Sequence, residues 1–260
     1  MMAPDGLLLA AKVALVALVV LLATQAARRF GHGVGGLLAG LPMIAAPITG
    51  LLLLQLPPER VRGVCLATLV CQPALIAYLV TYAHAAGRLR RPRWPVCLAL
   101  SLGVFAAMGL ALLALQLPPA ASVAGAVAAP FLGWRLMPAR RGPTGPTGAL
   151  PRSELAARIA VAMAVAAGVL WGAEHLSAGL AGLLLAAPIT GIVLPSFTLP
   201  RHGAAATQAL LAGFIRGQAG FVAFFVLMVG ALPVLPPGVA WGAALAAAAL
   251  LPWLVGRWRR

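Results

Sequence analysis

Acidic residues are nearly missing from this chain. Its 260 residues include four, Asp5, Glu59, Glu154 and Glu174, against nineteen basic ones. All four lie at the ends of apolar runs or in the loops between them, so no carboxylate pair sits inside such a run. That excludes acid–base catalysis by paired carboxylates and the buried Asp or Glu of an ordinary proton-driven pump. Cysteine is scarce as well. Cys65, Cys71 and Cys97 are odd in number and set in apolar surroundings, which argues against a disulfide framework or a thiolate metal cluster. His-Glu-x-x-His, Gly-x-Ser-x-Gly and Gly-x4-Gly-Lys are absent too, which removes the zinc-protease, hydrolase and ATP-hydrolysing readings. The chain is expected not to be an enzyme, and neither a cofactor nor a metal is expected.

What remains is apolar. Hydrophobic residues make up 62% of the chain and charged residues 9%, more apolar surface than a water-soluble domain could cover. The expected partners are therefore the lipid bilayer and a small-molecule or ion substrate, and a homo-oligomer stays open. The net charge of +15 does not point to nucleic acid, because the arginines cluster in short loops between apolar runs, where they act as orientation signals.

Crossing the hydrocarbon core takes about 20 apolar residues. Runs of that kind lie at about 6–27, 34–56, 61–86, 95–116, 120–137, 155–173, 178–198, 204–232 and 238–256, nine predicted spans in an all-α polytopic membrane protein. With nine spans and the N-terminus outside, fifteen of the nineteen basic residues reach the cytoplasmic side or its edge. Arg60 and Arg62 land outside, while Lys12 and Arg216 lie within spans. The expected location is thus the bacterial inner membrane, multi-pass, with a cytoplasmic C-terminus. Gly142 to Gly148, a Gly/Pro/Thr run without a hydrophobic face, reads as a linker.

One string organises the chain. Ala-Ala-Pro-Ile-Thr-Gly runs from Ala45 to Gly50 and returns from Ala186 to Gly191, each time inside a predicted span. With only 7 Ile and 9 Thr in the chain, composition explains the recurrence poorly. Gln72 and Gln218 hold corresponding places in the following spans, as do Ala77-Tyr78 and Ala223-Phe224. Spans 1–4 then match spans 6–9. An odd number of spans separates equivalents, so the halves would be inverted: repeat 1 over 1–116, a linking fifth span and loop over 117–152, and repeat 2 over 153–260. Proline-broken helices at matching positions in inverted halves point to a transporter site at the membrane midplane.

The candidate substrate-binding residues follow from that symmetry. Pro47 and Pro188 lack an N–H, which frees the carbonyls of Met43 and Leu184, and Thr49 and Thr190 lie two residues on. Gln72 and Gln218 offer amides inside spans. Arg216 stands about thirteen residues into its span, where a charge costs roughly 2.5–3.5 kcal/mol on insertion scales, and it points to an anionic ligand. The expected function is a secondary transporter or exporter of a small anionic solute. The alternative is a non-transporting scaffold or lipid-head-group-binding module. It would use the small-residue faces Gly31-x3-Gly35, Gly36-x3-Gly40 and Gly213-x3-Gly217.

Gly36-Leu-Leu-Ala-Gly-Leu-Pro42, followed by Pro47, resembles the Gly-Leu-Pro…Gly-Pro helix of an uncharacterised family of bacterial inner-membrane proteins. The likeness covers Arg28 to Pro57. That family's pattern has hydroxyl residues where Met43, Ile44 and Ala45 stand, and a Glu where Gln55 stands, so an ionisable ligand is lost here. The resemblance implies membrane location and fold, and no activity.

Overall fold

A computed structural model describes residues 32–89, 94–138, 156–157, 159–160, 163–164 and 175–257. Predicted spans 1 and 6, the Gly/Pro-rich linker, Lys12, Glu154 and Glu174 lie outside or almost wholly outside the described residues. All regular structure among the described residues is helical. In chain order the helices are α1 (His32–Gly40), α2 (Ala45–Gln55), α3 (Pro58–Val70), α4 (Gln72–Arg88), α5 (Trp94–Ala114), α6 (Pro119–Leu136), α7 (Ala178–Ala186), α8 (Ile189–Ala231) and α9 (Pro237–Arg257).

Proline punctuates this order. α3, α6 and α9 each open on a Pro-Pro pair, 57–58, 118–119 and 236–237. The ring pre-sets the first helical φ, and the missing N–H would have had no partner there. α8 runs for 43 residues, or about 65 Å at 1.5 Å per residue, twice the hydrocarbon thickness. Gly203 interrupts it with φ 74° and ψ −175°, a conformation open to glycine at little cost.

Four stretches are long and apolar enough to cross a membrane: Gly33–Gln55, Pro58–Arg88, Trp94–Ala114 and Ala178–Ala231. These several long apolar helices suggest a membrane protein. Nine spans were expected; spans 1 and 6 fall outside or almost wholly outside the described residues, and the remaining differences have the following reasons. Predicted spans 7 and 8 share the single stretch Ala178–Ala231. α6 is 18 residues long, but Pro119, Pro130, Trp134 and Arg135 dilute its apolarity, and the 21-residue α9 stands in the place of span 9.

The buried apolar residues form two clusters. One gathers α2, α3, α9 and the end of α8 around Ile48, Leu52, Phe224, Phe225 and Met228. The other gathers α4, α5 and the middle of α8 around Tyr78, Leu79, Tyr82, Leu211 and Phe214. Gln72 and Gln218 sit where the two meet.

Two seams of very close packing bring the chain halves together. In the first, α1 lies on α8. A Cβ on Gly36 would meet the Leu210 carbonyl and the Phe214 nitrogen, and one on Gly40 would meet the Phe214 carbonyl and Gly217 Cα. From the other side, Gly213 faces Gly33 and Leu37, and Gly217 faces Leu37 and Gly40. Only hydrogen fits between these backbones. In the second seam α7 lies on α3: Gly182 faces Val64, Ala67 and Thr68, and Gly63 faces Ala178. Residue numbers rise together across both seams, so each helix pair runs parallel.

Candidate functional site

Both copies of the repeated string lie at helix breaks, by different means. In the second copy the chain leaves helical geometry at Ala187 and Pro188, and Pro188 becomes the N-cap of α8 with φ −77° and ψ 64°. In the first copy the break comes a turn earlier, at Leu41 to Ile44, where Pro42 lies. Pro47 is not itself the breaker. It is the third residue of α2, where an absent N–H removes little because first-turn N–H groups lack a helical acceptor. The expected loss at Leu184 is also made good, since its carbonyl accepts the Ala187 N–H at 3.1 Å.

The breaks meet. Leu38, Ala39, Leu41, Met43, Ile44 and Ala45 from the first, and Leu185 to Thr190 from the second, line one cavity of about 50 Å³, closed by Leu75, Phe214, Gln218 and Phe221. A single water needs roughly 10–15 Å³ on this measure, so the space suits a few waters or one small solute. No ionisable side chain is among the lining residues. Neither helix N-terminus facing the cavity, at Ile44 or at Pro188, has a side-chain cap.

Hydrogen bonds tie the polar groups of the two breaks together. Gln218, 1% exposed, donates from Nε2 to the Gly40 carbonyl at 2.9 Å. Its Oε1 accepts from Gln72 Nε2 at 2.8 Å. Thr190 donates to the Ala39 carbonyl at 3.2 Å. These donors take up carbonyls at the end of α1, which have no partner inside their own helix. Thr49, fully buried, donates instead to Ala45 of its own helix at 2.7 Å. Gln72 is also fully buried, and its Oε1 has no partner.

Of the seven residues expected at the site, Pro188, Thr190 and Gln218 line the cavity, and Gln72 reaches it through Gln218. Pro47 and Thr49 are not among the residues that line it. Arg216 does not join them. It is exposed on the far face of α8, its guanidinium 4.3 Å from the ring centre of Trp134 on α6. Gly213, three residues earlier on α8, faces α1.

Two residues matter that the sequence did not single out for the site. Tyr78 donates its hydroxyl to the Gly191 carbonyl at 2.8 Å, the acceptor that Pro195, four residues on, leaves without a helical N–H. Trp241 donates from Nε1 to the Ala46 carbonyl at 2.9 Å and covers Gly50. A signal for Tyr78 was present, since a phenol inside an apolar span needs an acceptor. The cysteines Cys65, Cys71 and Cys97 are free and buried, and no group of metal-ligating side chains occurs among the described residues.

Comparison with known proteins adds no kinship: no family model matches this chain, and no curated protein or solved structure matches it.

Proposed function

We propose that this chain is a secondary transporter or exporter of a small anionic solute in the bacterial inner membrane. In this reading it is built as two inverted repeats, and the solute passes through the cavity between the two breaks. The observation that carries the reading is the convergence of the two helix breaks beside the repeated strings on that one cavity, which Ala45 of the first string and Ala186 to Thr190 of the second line.

The inverted arrangement has three supports. Gln72 and Gln218, equivalent in sequence, touch each other, as equivalents on a two-fold axis must. The two glycine seams are counterparts. Carrying Ala67 and Thr68 forward by the 146 residues that separate the two glutamines gives Gly213 and Phe214, which face α1 as Ala67 and Thr68 face α7. Finally, parallel pairing of α3 with α7 calls for an odd number of crossings between their spans. That count is met when α5, α6 and a span in 155–173 all cross.

Preference for an anion no longer leans on Arg216. It leans chiefly on the α8 N-terminus, which has no side-chain cap and whose partial positive charge favours an electronegative ligand, since at α2 the Ala46 N–H is taken by Pro42 and Pro47 has none; Thr190 and Gln218 occupy the opposing carbonyls. Two of the three glycine faces behind the scaffold alternative are taken up within the chain. Gly36, Gly40, Gly213 and Gly217 already pack against one another inside the chain and offer no outward face.

The test is a thermal-shift screen of the purified protein with chloride, phosphate, sulfate, acetate and, as a neutral control, glycerol. Flux of any stabilising anion into proteoliposomes follows. Gln218→Leu should cut that flux at least tenfold while Arg216→Gln keeps most of it. A stabilising anion whose flux depends on Arg216 and ignores Gln218 would refute this site.

A further inference from the structure

We infer that the cavity between the breaks takes a small amphiphilic monoanion, a short-chain carboxylate such as acetate or propionate. Its charged end would lie at Thr190 and Gln218 and its alkyl end at Met43 and Ile44. The inference rests on the transporter reading proposed above and names the class of solute for that same site. Its basis is that the two sides of the cavity are alike in backbone and unlike in side chains.

The likeness shows when residues are carried forward by the 146 that separate Gln72 from Gln218. Arg62 then falls on Gln208 and Ala83 on Val229. Arg62 donates to the Val229 carbonyl at 2.9 Å, and Gln208 donates to the Ala83 carbonyl at 3.2 Å. The breaks obey the same register. Leu41 N–H donates to Leu38 at 3.2 Å, and Ala187 N–H to Leu184 at 3.1 Å. Met43 N–H donates to Leu41 at 2.7 Å, and Ile189 N–H to Ala187 at 2.8 Å. Met43, Ile44 and Leu75 therefore line the cavity opposite Ile189, Thr190 and Phe221.

Side chains break that likeness. Among the lining residues only Thr190 and Gln218 carry polar side chains, and both belong to the second half. Where Thr190 has its hydroxyl, the first half has the buried alkyl group of Ile44. Donors remain at the polar end. Gln218 spends one amide N–H on Gly40 and has a second, and the Thr190 N–H, second in α8, has no helical acceptor. Two donors beside a helix N-terminus suit one carboxylate. A doubly charged ion would lose its water to walls with no ionisable side chain, which costs far more than these groups return. Size narrows the class further. At roughly 10–15 Å³ for each water-sized group, about 50 Å³ holds a solute the size of acetate or propionate, whereas chloride would leave most of the space empty.

The test is binding to the purified full chain, read as the concentration of each sodium salt that gives half its maximal thermal shift at fixed ionic strength. The probes are formate, acetate, propionate, butyrate and hexanoate, with chloride, sulfate and phosphate. Affinity should rise about fourfold per added carbon from formate to propionate, the transfer gain of a buried CH₂, and fall at hexanoate, which exceeds the cavity. Chloride, sulfate and phosphate should bind at least about tenfold more weakly than propionate. Ile44→Ala enlarges the alkyl end and should move the best acid to butyrate or beyond; Met43→Ala replaces it if that variant does not purify. Ile44→Thr, which gives the first break the hydroxyl that Thr190 gives the second, should erase the preference for propionate over formate. Gly103→Ala, with nothing within 4 Å, should keep the wild-type series. Equal binding of all the acids, or an optimum that neither alanine variant moves, would overturn the assignment. Stabilisation by chloride, sulfate or phosphate and by no carboxylate would overturn it too, and would leave anion transport standing. Flux of the best-binding acid is compared with that in protein-free vesicles at alkaline pH, where leakage of the neutral acid is least. The expected optimum in binding without any such flux would keep this site and overturn transport.

Discussion

Around the first copy of Ala-Ala-Pro-Ile-Thr-Gly the helix is interrupted over Leu41 to Ile44, and the end of α1 is held by Thr190 and Gln218 from the other half. Around the second copy the chain leaves it for two residues, Ala187 and Pro188, and the Ala187 N–H closes back on Leu184. In the register of the glutamines and the seams, Pro42 of the first opening falls opposite Pro188 of the second. The same six residues thus sit in two environments. What distinguishes them is which half supplies the donors, and a string of sequence cannot state that by itself.

The seams beside the two breaks offer the strongest way to sharpen this comparison. At α1 and α8 a new Cβ meets backbone, which cannot step aside, so Gly36→Ala and Gly40→Ala should each destabilise by about 2–3 kcal/mol. Gly182→Ala in the counterpart seam should cost a similar amount, since Thr68 N and Val64 O both stand 2.8 Å from the new atom. Gly103→Ala, with nothing within 4 Å, should be neutral or gain up to about 1 kcal/mol from helix propensity. Thermal unfolding in one detergent ranks all four. A mild Gly40→Ala beside a severe Gly182→Ala would separate the two seams.

A smaller effect should separate the two glutamines. Gln218→Leu strands both the Gly40 carbonyl and the Gln72 amide and should cost about 2–3 kcal/mol. Gln72→Leu leaves the Gln218–Gly40 bond in place and removes the unmet Gln72 Oε1 but strands Gln218 Oε1, one orphan for another, so only the lost bond, about 1 kcal/mol, is expected. Chemical denaturation of the two variants reads the difference, and equal losses would contradict the asymmetry.

The smallest effect concerns Tyr78, the donor that supports the second break alone. Tyr78→Phe should cost about 0.5–1.5 kcal/mol. In a Pro195→Ala background, where the introduced alanine supplies a backbone N–H to Gly191, the same change should cost close to nothing. A double-mutant cycle measures the coupling, and its absence would mean that Tyr78 does not compensate for Pro195.

Much of the fold was legible in the sequence because apolar length is a strong signal. The predicted runs at 34–56, 61–86 and 95–116 fall on Gly33–Gln55, Pro58–Arg88 and Trp94–Ala114. The glycine faces were legible too, although which helix each one meets depends on tertiary packing. Thr190, Pro188 and the Gln72–Gln218 pair were found because duplication marks positions that share a role. Arg216 misled for a physical reason. Depth within a span says how far a charge lies along the helix but not which way it faces, and a one-residue step turns it about 100°. Pro47 misled similarly, since whether a proline breaks a helix depends on whether the helix has already begun. Tyr78 and Trp241 were missed because their partners are backbone carbonyls more than a hundred residues away.

The opposed orientation of the two halves can be read by labelling single introduced cysteines with a membrane-impermeant maleimide in vesicles of known sidedness. Gln55→Cys marks the end of the first broken stretch and His202→Cys the end of the second. The native thiols are buried and give little background. Inverted halves require the Gln55→Cys variant to react from the outer face only and the His202→Cys variant from the cytoplasmic face only. Reaction of both from the same face would mean parallel duplicates, and the account built on their opposition would be wrong.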